Sequence, residues 1–369
     1  MNNQALLQSI LDAMTQHNSY LQRLSTQSVN EILRKFDKLS ITALNSLRDA
    51  LDELSEAELR ALAAATYTTP QLVEVREIIR SWGQGIATEL PAILLDSSVA
   101  LAAYESSYIY KLANKKAPAV SGTTLLNKAK KKPYAGGQLL NHIFPSVAEN
   151  LRQKAERVIR SGIDEGQTNQ EIIRRIKGTK KLNYKDGLLD QTRNAIDAEV
   201  RTARAHVSSD AYLETWKALG FEHTRDVATL DGRVTMLCAS RDGRVQKLGE
   251  GYQRVPYHYR CRTVQVGCDA DGEMLGLRPY VADHRAVKNI PKDEREGKIG
   301  QVNANETYTQ WFSRQNESFQ REWLGNKRYE LYKSGGYSMD KFIDPLSGEK
   351  FTLKELRVLD EATFKDLGL

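Results

Sequence analysis

The sequence predicts a predominantly helical α+β protein with a helical amino-terminal region, a small α+β domain and a helical carboxy-terminal extension. Aliphatic residues recur at spacings of three and four between positions 32 and 51, the pattern of one face of an amphipathic helix. Two segments with strand character, 221–227 and 263–266, lie among Asp-Gly turn signals. From 308 to 332, aromatic residues again show helix-like spacing. These three observations define the fold class.

Capping patterns predict where individual helices begin. Ser55 is followed three positions later by Glu58, and Thr168 is followed at the same spacing by Glu171. In such a capping box, each side chain satisfies a free backbone N–H of the first helical turn. A long polar helix is expected over 191–219.

Glycine and proline predict breaks in the helical first half. Pro70 suits the first turn of a helix, where its missing N–H costs nothing. Gly83 and Gly85 predict the end of that helix, and Pro91 predicts the start of another.

Changes in composition predict four regions. A helical docking region covers 1–110, and a lysine-rich connector, expected to be a loop, covers 111–145. The α+β domain with its helical lead-in covers 146–290, and the carboxy-terminal extension covers 291–369. The helices of the first region can either dock on a partner through an apolar face or form a self-contained bundle.

The charge balance mildly favours an anionic partner. The chain of 369 residues carries 53 Lys and Arg against 47 Asp and Glu, a formal net charge of +6. No apolar run is expected to approach the roughly 20 residues that span a bilayer. The first residues lack the basic and apolar regions of a signal peptide. We therefore expect a protein without a membrane partner, made in a cytoplasm.

Clustered lysines are the candidate nucleic-acid contacts. Lysine side chains neutralise phosphates without fixed geometry, although a solvated linker would have the same composition. The candidates for contact with double-stranded DNA are Lys128, Lys130, Lys131 and Lys132, followed by Lys177, Lys180 and Lys181.

All three cysteines lie in one short window near a histidine. Cys238, His258, Cys261 and Cys268 offer four ligands of two types that zinc prefers, thiolate and imidazole, so a structural zinc site is one interpretation. A second is that the cysteines are buried small apolar residues and His258 makes a structural hydrogen bond. A third is a thiol or metal hydrolase in which His258 and Asp231 assist a cysteine.

The same window carries a composite motif. In chain order it contains Asp231, Arg233, Cys238, an Asp242-Gly243 turn, and then Pro256, His258, Cys261 and Arg262. This order and spacing resembles the MuF-like, or head morphogenesis, domain of minor head proteins of tailed phages. The resemblance covers roughly residues 145–360. Val234, Val255 and Arg260 depart from the usual pattern, which affects details of the turns.

The resemblance implies a minor capsid protein, without enzymatic activity from this domain, located inside the virion capsid and in the host cytoplasm during assembly. It implies association with the portal protein in the procapsid and a role in head assembly, DNA packaging or DNA delivery. The scaffold and the major capsid protein are further candidate partners. The alternative from the residues alone is a metal- or thiol-dependent hydrolase centred on Asp231, His258 and Cys261.

Overall fold

The computed structural model describes residues 3–118, 120–249 and 251–369; within the first helix it describes the side chains at 13, 14, 17 and from 20 onward. Residues 1–2 of the expected docking region and residue 119 of the connector lie outside this description. The described chain forms 13 helices and two small three-stranded sheets. The expectation of a predominantly helical α+β fold is therefore confirmed.

Seven α-helices form most of the described chain up to residue 218. In chain order they are α1 (Asn3–Asp52), α2 (Glu56–Ala63), α3 (Pro70–Leu112), α4 (Gly122–Lys130), α5 (Ile143–Asp164), α6 (Asn169–Lys177) and α7 (Leu188–Ala218). Capping boxes at Ser55–Glu58 and Thr168–Glu171 open α2 and α6, as the sequence predicts. The expected polar helix over 191–219 corresponds to α7.

Short strands and helices alternate in the remainder. The strands are β1 (His223–Val227), β2 (Leu230–Asp231), β3 (Val245–Lys247), β4 (Val264–Cys268), β5 (Leu277–Val281) and β6 (Ile299–Asn303). The helices are α8 (Met236–Arg241), α9 (Tyr308–Ser313), α10 (Glu317–Leu324), α11 (Asn326–Lys333), α12 (Leu353–Leu359) and α13 (Glu361–Asp366).

The chain divides into two compact units, each built from separated segments. The helical unit comprises Gln22–Ala103 and Ser121–Val207, and the sheet unit comprises Met1–Leu21, Tyr104–Val120 and Ser208–Leu369. Helices α1, α3 and α7 contribute residues to both units.

Helix α3 continues through the residues expected to end it. Gly83, Gly85 and Pro91 all lie inside Pro70–Leu112, so the expected break is wrong. Glycine inside a helix costs only about 1 kcal/mol relative to alanine. A buried stripe at helical spacing offsets that cost, and it comprises Leu72, Val75, Ile79, Trp82, Ile86, Leu90 and Leu94. Packing of the whole stripe therefore outweighs the local break signals.

The same helix is the one described segment whose length and composition would allow it to cross a bilayer. A third of its most apolar 18-residue window is buried within the protein (33%). The expectation that no segment has the apolar content of a membrane span therefore does not hold for α3.

The lysine-rich connector is partly helical. Ser121 accepts a hydrogen bond from the backbone N–H of Thr124 and so caps α4. Leu125, Leu126 and Ala129 are buried on one face of this helix. The segment 111–145 is therefore not a continuous loop, because its apolar residues recur at a spacing that a short helix can bury.

The two sheets lie in the sheet unit. The first has strand order β3-β1-β4 and is antiparallel throughout; in the second, of order β2-β5-β6, β2 and β5 are parallel and β5 and β6 antiparallel. Strand β4 packs closely under α7, since a Cβ on Gly267 would lie 2.9 Å from the Trp216 ring. The indole N–H of Trp216 donates to the carbonyl of Gln265 at 3.1 Å. An aromatic core surrounds Tyr308, Trp311 and Phe312.

A buried ion pair joins the elements of this unit. Asp242, which follows α8, accepts from Arg278 of β5 at 2.9 Å, and the two side chains are 0% and 2% exposed. The carboxylate also accepts from the backbone N–H groups of Ala228 at 2.7 Å and Tyr308 at 2.6 Å. Arg278 donates further to the carbonyls of Ala228 and Glu306. One carboxylate thus fixes the segment after β1, the end of α8 and the start of α9.

Replacing Arg278 by methionine should destabilise the protein by about 3 to 5 kcal/mol, because it leaves the buried Asp242 carboxylate without its countercharge. Urea unfolding followed by circular dichroism measures this loss. The matched control is Arg285→Met, which removes an exposed arginine paired with Asp283 and Glu294 and should change stability little. Equal losses in the two variants would contradict the role assigned to the buried pair.

Candidate metal centre

Helix α8 delivers the first residue of the site. Thr235 precedes the helix, and its hydroxyl accepts from the backbone N–H of Cys238 at 3.3 Å. This cap satisfies a free donor of the first turn. It also places the Cys238 side chain inward, where it is 2% exposed.

The segment between β3 and β4 delivers the other two residues. The backbone N–H of Cys261 donates to the carbonyl of His258 at 3.2 Å, which closes a tight turn. Arg260, inside that turn, has a left-handed φ of 59°, a conformation that non-glycine residues seldom adopt. The turn directs His258 and Cys261 toward Cys238.

The three side chains form one compact group. Nε2 of His258 lies 3.0 Å from Sγ of Cys238, and the two sulfur atoms are 3.6 Å apart. The candidate ligand atoms of Cys238, His258 and Cys261 all lie within 4.8 Å of one another. Tetrahedral zinc with Zn–S bonds of about 2.3 Å requires a sulfur separation of about 3.8 Å. The observed sulfur separation is therefore close to that of a tetrahedral site.

A hydrogen bond fixes the orientation of the histidine ring. Nδ1 of His258 lies 2.8 Å from the carbonyl oxygen of Tyr259, so Nδ1 carries the proton and donates. Nε2 is then free to accept a proton or a metal ion, the usual arrangement for a histidine ligand. The hydroxyl of Thr235 also lies 2.9 Å from Nε2.

The cluster favours a thiolate on Cys261. A hydrogen bond from Cys238 lowers the pKa of Cys261 most strongly, and His258 lowers it further despite burial. The same hydrogen bond, together with burial, raises the pKa of Cys238. Burial by itself lowers the pKa of His258, but its interactions with Cys261 raise it overall. A thiolate next to an imidazole is the form of these groups that binds metal ions.

Cys268 lies outside this group. It is the last residue of β4, paired opposite His223 of β1, and burial raises the pKa of its thiol to about 12. The described residues therefore bring together three of the four ligands expected from the sequence. Strand geometry explains the difference, because β4 extends away from the turn that carries Cys261.

The remaining motif residues form a carboxylate–guanidinium cluster. Asp231 of β2 accepts from Nη2 of Arg262 at 2.8 Å, and Nη1 of Arg262 makes a second bond. Arg233 donates to the same carboxylate through its guanidinium at 3.0 Å and its backbone N–H at 2.9 Å. Burial alone raises the pKa of Asp231, but these contacts hold it below its ordinary value. Pro256 follows a cis peptide bond in the same segment.

The arginines in and near this window pair with three different aspartates. Arg233 and Arg262 pair with Asp231, whereas Arg278 is the partner of Asp242 and Arg244 that of Asp226. Arg278 and Arg244 were not identified from the sequence, because a single arginine gives no signal of a partner many positions away.

The candidate DNA-contacting lysines belong to the helical unit. Lys128 and Lys130 lie on the last turn of α4, and Lys131 and Lys132 follow it. Lys177 ends α6, with its ammonium 5.7 Å from the Tyr184 ring centroid. Lys180 and Lys181 are exposed in the segment after α6.

Two further features were missed by sequence reasoning. The Thr235 hydroxyl completes the surroundings of His258, and its position three residues before Cys238 is a capping signal that could have revealed it. Lys154, Arg157 and Arg174 line a cavity together with Thr179, the residue before Lys180. The helical spacing of these cations is visible in the sequence, but the packing of α5 against α6, which brings them together, is not.

Comparison of the chain with protein-family models, with curated proteins and with solved structures finds no match.

Arg262→Gln should destabilise the protein by about 3 to 5 kcal/mol, because the Asp231 side chain is only 4% exposed and would lose its bidentate partner. Arg233→Gln removes a 41% exposed guanidinium from the same carboxylate and should cost clearly less. Thermal unfolding of both variants compares the two contacts directly. A larger loss for Arg233→Gln would show that Arg262 is not the main partner.

Proposed function

We propose that the chain is a minor head protein of a tailed phage, associated with the portal inside the procapsid and acting in head assembly, DNA packaging or DNA delivery. The observation that supports this most is the assembly of the composite motif. Its residues are up to 31 positions apart in the sequence, yet Cys238, His258 and Cys261 form one contiguous cluster. Asp231, Arg233 and Arg262 form another through direct contacts. A chance succession of residue types has no reason to converge in this way.

Both clusters lie around the same short helix, α8, which supports a structural role for the motif. Thr235 and Cys238 begin α8, Asp231 lies just before it, and the turn 256–262 packs against its start. Residues that contact one another in this way stabilise the local fold, and partners are then bound by other surfaces of the protein. This agrees with a domain that acts in assembly and not in catalysis.

A structural zinc ion bound by Cys238, His258 and Cys261 belongs to the same proposal. The donor set is two thiols and one imidazole, with the imidazole oriented by a backbone carbonyl. Zinc would crosslink α8 to the turn 256–262. Sites of this kind contribute directly to folding free energy.

A metal-dependent or thiol hydrolase remains the second candidate. Three protein ligands would leave a coordination position for water, as in catalytic zinc sites, and this favours it. The contacts of Asp231 argue against a Cys–His–Asp relay: its carboxylate binds Arg233 and Arg262, while Nδ1 of His258 faces the Tyr259 carbonyl.

The tagged chain should co-purify with the portal protein of its phage after nuclease treatment in high salt. Specific protein docking survives both conditions, whereas association through DNA is lost because phosphate contacts weaken steeply with salt. Loss of the portal under these conditions would contradict the minor-head proposal. The control is the same purification without nuclease in low salt, which retains both kinds of complex.

Zinc should bind in equimolar amount to the wild-type chain and to Cys268→Ser, and it should be lost from Cys261→Ser. Metal analysis and the cobalt charge-transfer band of the thiolate ligands measure this. Circular dichroism at low temperature identifies a Cys261→Ser chain that still folds.

If the zinc ion is structural, removing it lowers the unfolding temperature of the protein and does not abolish hydrolysis of any substrate. Zinc retained by Cys261→Ser would overturn the ligand set. Hydrolysis of an ester or phosphodiester that is lost in a folded His258→Ala variant would favour the hydrolase.

A further inference from the structure

The helical unit contains a basic cavity that the motif does not involve. It has a volume of about 530 Å³ and lies among α5, α6, the segment after α6 and the start of α7. Four cationic side chains line it: Lys154 and Arg157 from α5, and Arg174 and Arg175 from α6. We call this cavity, together with the segment 178–187, the basic cleft.

The two acidic residues that line the cleft accept hydrogen bonds from backbone N–H groups of the cleft itself. Glu171 accepts from the backbone N–H of Thr168 at 2.8 Å, and Asp186 accepts from the backbone N–H and hydroxyl of Thr179, both at 2.8 Å. These hydrogen bonds lower the pKa of both carboxyl groups. Two carboxylates thus face four cations, so the wall carries an excess of two positive charges.

Much of this positive charge is available to a ligand. Arg175 bonds to Glu165 at 3.2 Å, at the edge of the cleft. Within the described part of the chain, no ion pair joins Lys154 or Arg157 to an acidic side chain. Exposed lysines of the adjoining segment add to the excess; they are Lys177, Lys180, Lys181 and Lys185.

The backbone of the segment after α6 adopts a defined, closed conformation. Gly178 has a φ of 93°, and a Cβ there would lie 2.6 Å from the carbonyl oxygen of Tyr184. Asn183 and Tyr184 are both left-handed, with φ of 50° and 62°, a conformation that costs non-glycine residues about 1 to 3 kcal/mol and recurs at functional sites. The Thr179–Asp186 hydrogen bonds close the loop. Thr179 and Asp186 of this loop line the cavity, and Lys180 and Lys185 are their neighbours in the chain.

We propose that the basic cleft binds the sugar-phosphate backbone of duplex DNA. Cations from α5 and α6 face one concave surface, which suits a row of phosphates, and exposed lysines of the closed loop adjoin its lining residues Thr179 and Asp186 in the chain. Single-stranded nucleic acids are held on several aromatic platforms, and Tyr184 is the only aromatic residue of segment 178–187. The contact is sequence-independent. It rests on the DNA contact within the proposed function and does not depend on portal docking.

The test compares three charge-matched variants of the full chain. The cleft variant carries Lys154→Gln, Arg157→Gln, Lys180→Gln and Lys181→Gln. The connector variant carries Lys128→Gln, Lys130→Gln, Lys131→Gln and Lys132→Gln. The control variant carries Lys327→Gln, Lys333→Gln, Lys354→Gln and Lys365→Gln, all exposed in the sheet unit.

Fluorescence anisotropy with a labelled DNA duplex gives the binding constant over a series of salt concentrations. Each phosphate contact contributes about 0.9 to the slope of log K against log salt. The cleft variant should therefore have a slope shallower by about 3 to 4. The control variant should keep the slope of the wild type.

An unchanged slope in the cleft variant, with loss confined to the connector variant, would overturn the cleft as the site. Tighter wild-type binding of single-stranded DNA than of the duplex would also overturn it. Portal co-purification of the cleft variant separates the two proposals: a variant that keeps the portal while losing DNA supports the cleft and leaves the minor-head function intact. Loss of the portal by the wild type contradicts that function alone.

Discussion

The ion pair between Asp242 and Arg278 is the constraint on which the sheet unit depends. Its carboxylate accepts from two backbone N–H groups besides the guanidinium, and Arg278 donates to two carbonyls. A charge that is buried requires all of these partners, since each missing one would leave an uncompensated polar group. The segment after β1, the end of α8, strand β5 and the start of α9 are thereby held in one arrangement.

The candidate metal centre follows from this arrangement. Asp242 fixes the end of α8, while Asp231, paired with Arg262, lies before its start. The short helix therefore has little freedom, and Cys238 is held facing the turn that carries His258 and Cys261. A helix of six residues could not hold such a geometry by its own hydrogen bonds, because short helices are marginal in water. The metal-capable group is thus a product of the surrounding ion pairs.

The helical unit carries two sets of basic residues, which differ in the structure that supports them. Lysines of the connector lie on or after α4, which buries Leu125, Leu126 and Ala129, so the segment is folded and not a free linker. The cations that line the basic cleft come from two successive helices, α5 and α6, and meet across a cavity. Clustering along the chain identified the first set. In the basic cleft, clustering identified Lys180 and Lys181, and the packing of α5 against α6 adds Lys154, Arg157 and Arg174.

The sequence by itself determined the helical class, the α2 and α6 capping boxes and two strands of the first sheet, β1 and β4. These depend on hydrogen bonds and side-chain spacing within a few residues, which a linear pattern records. Tertiary structure decided that α3 continues through Gly83, Gly85 and Pro91, because a buried stripe offsets local penalties that propensity alone would count. It also decided that Cys268 lies apart from the cysteine cluster and that Arg278 meets Asp242. Partners separated by tens of residues are set by the packing of whole elements, and no local pattern encodes that.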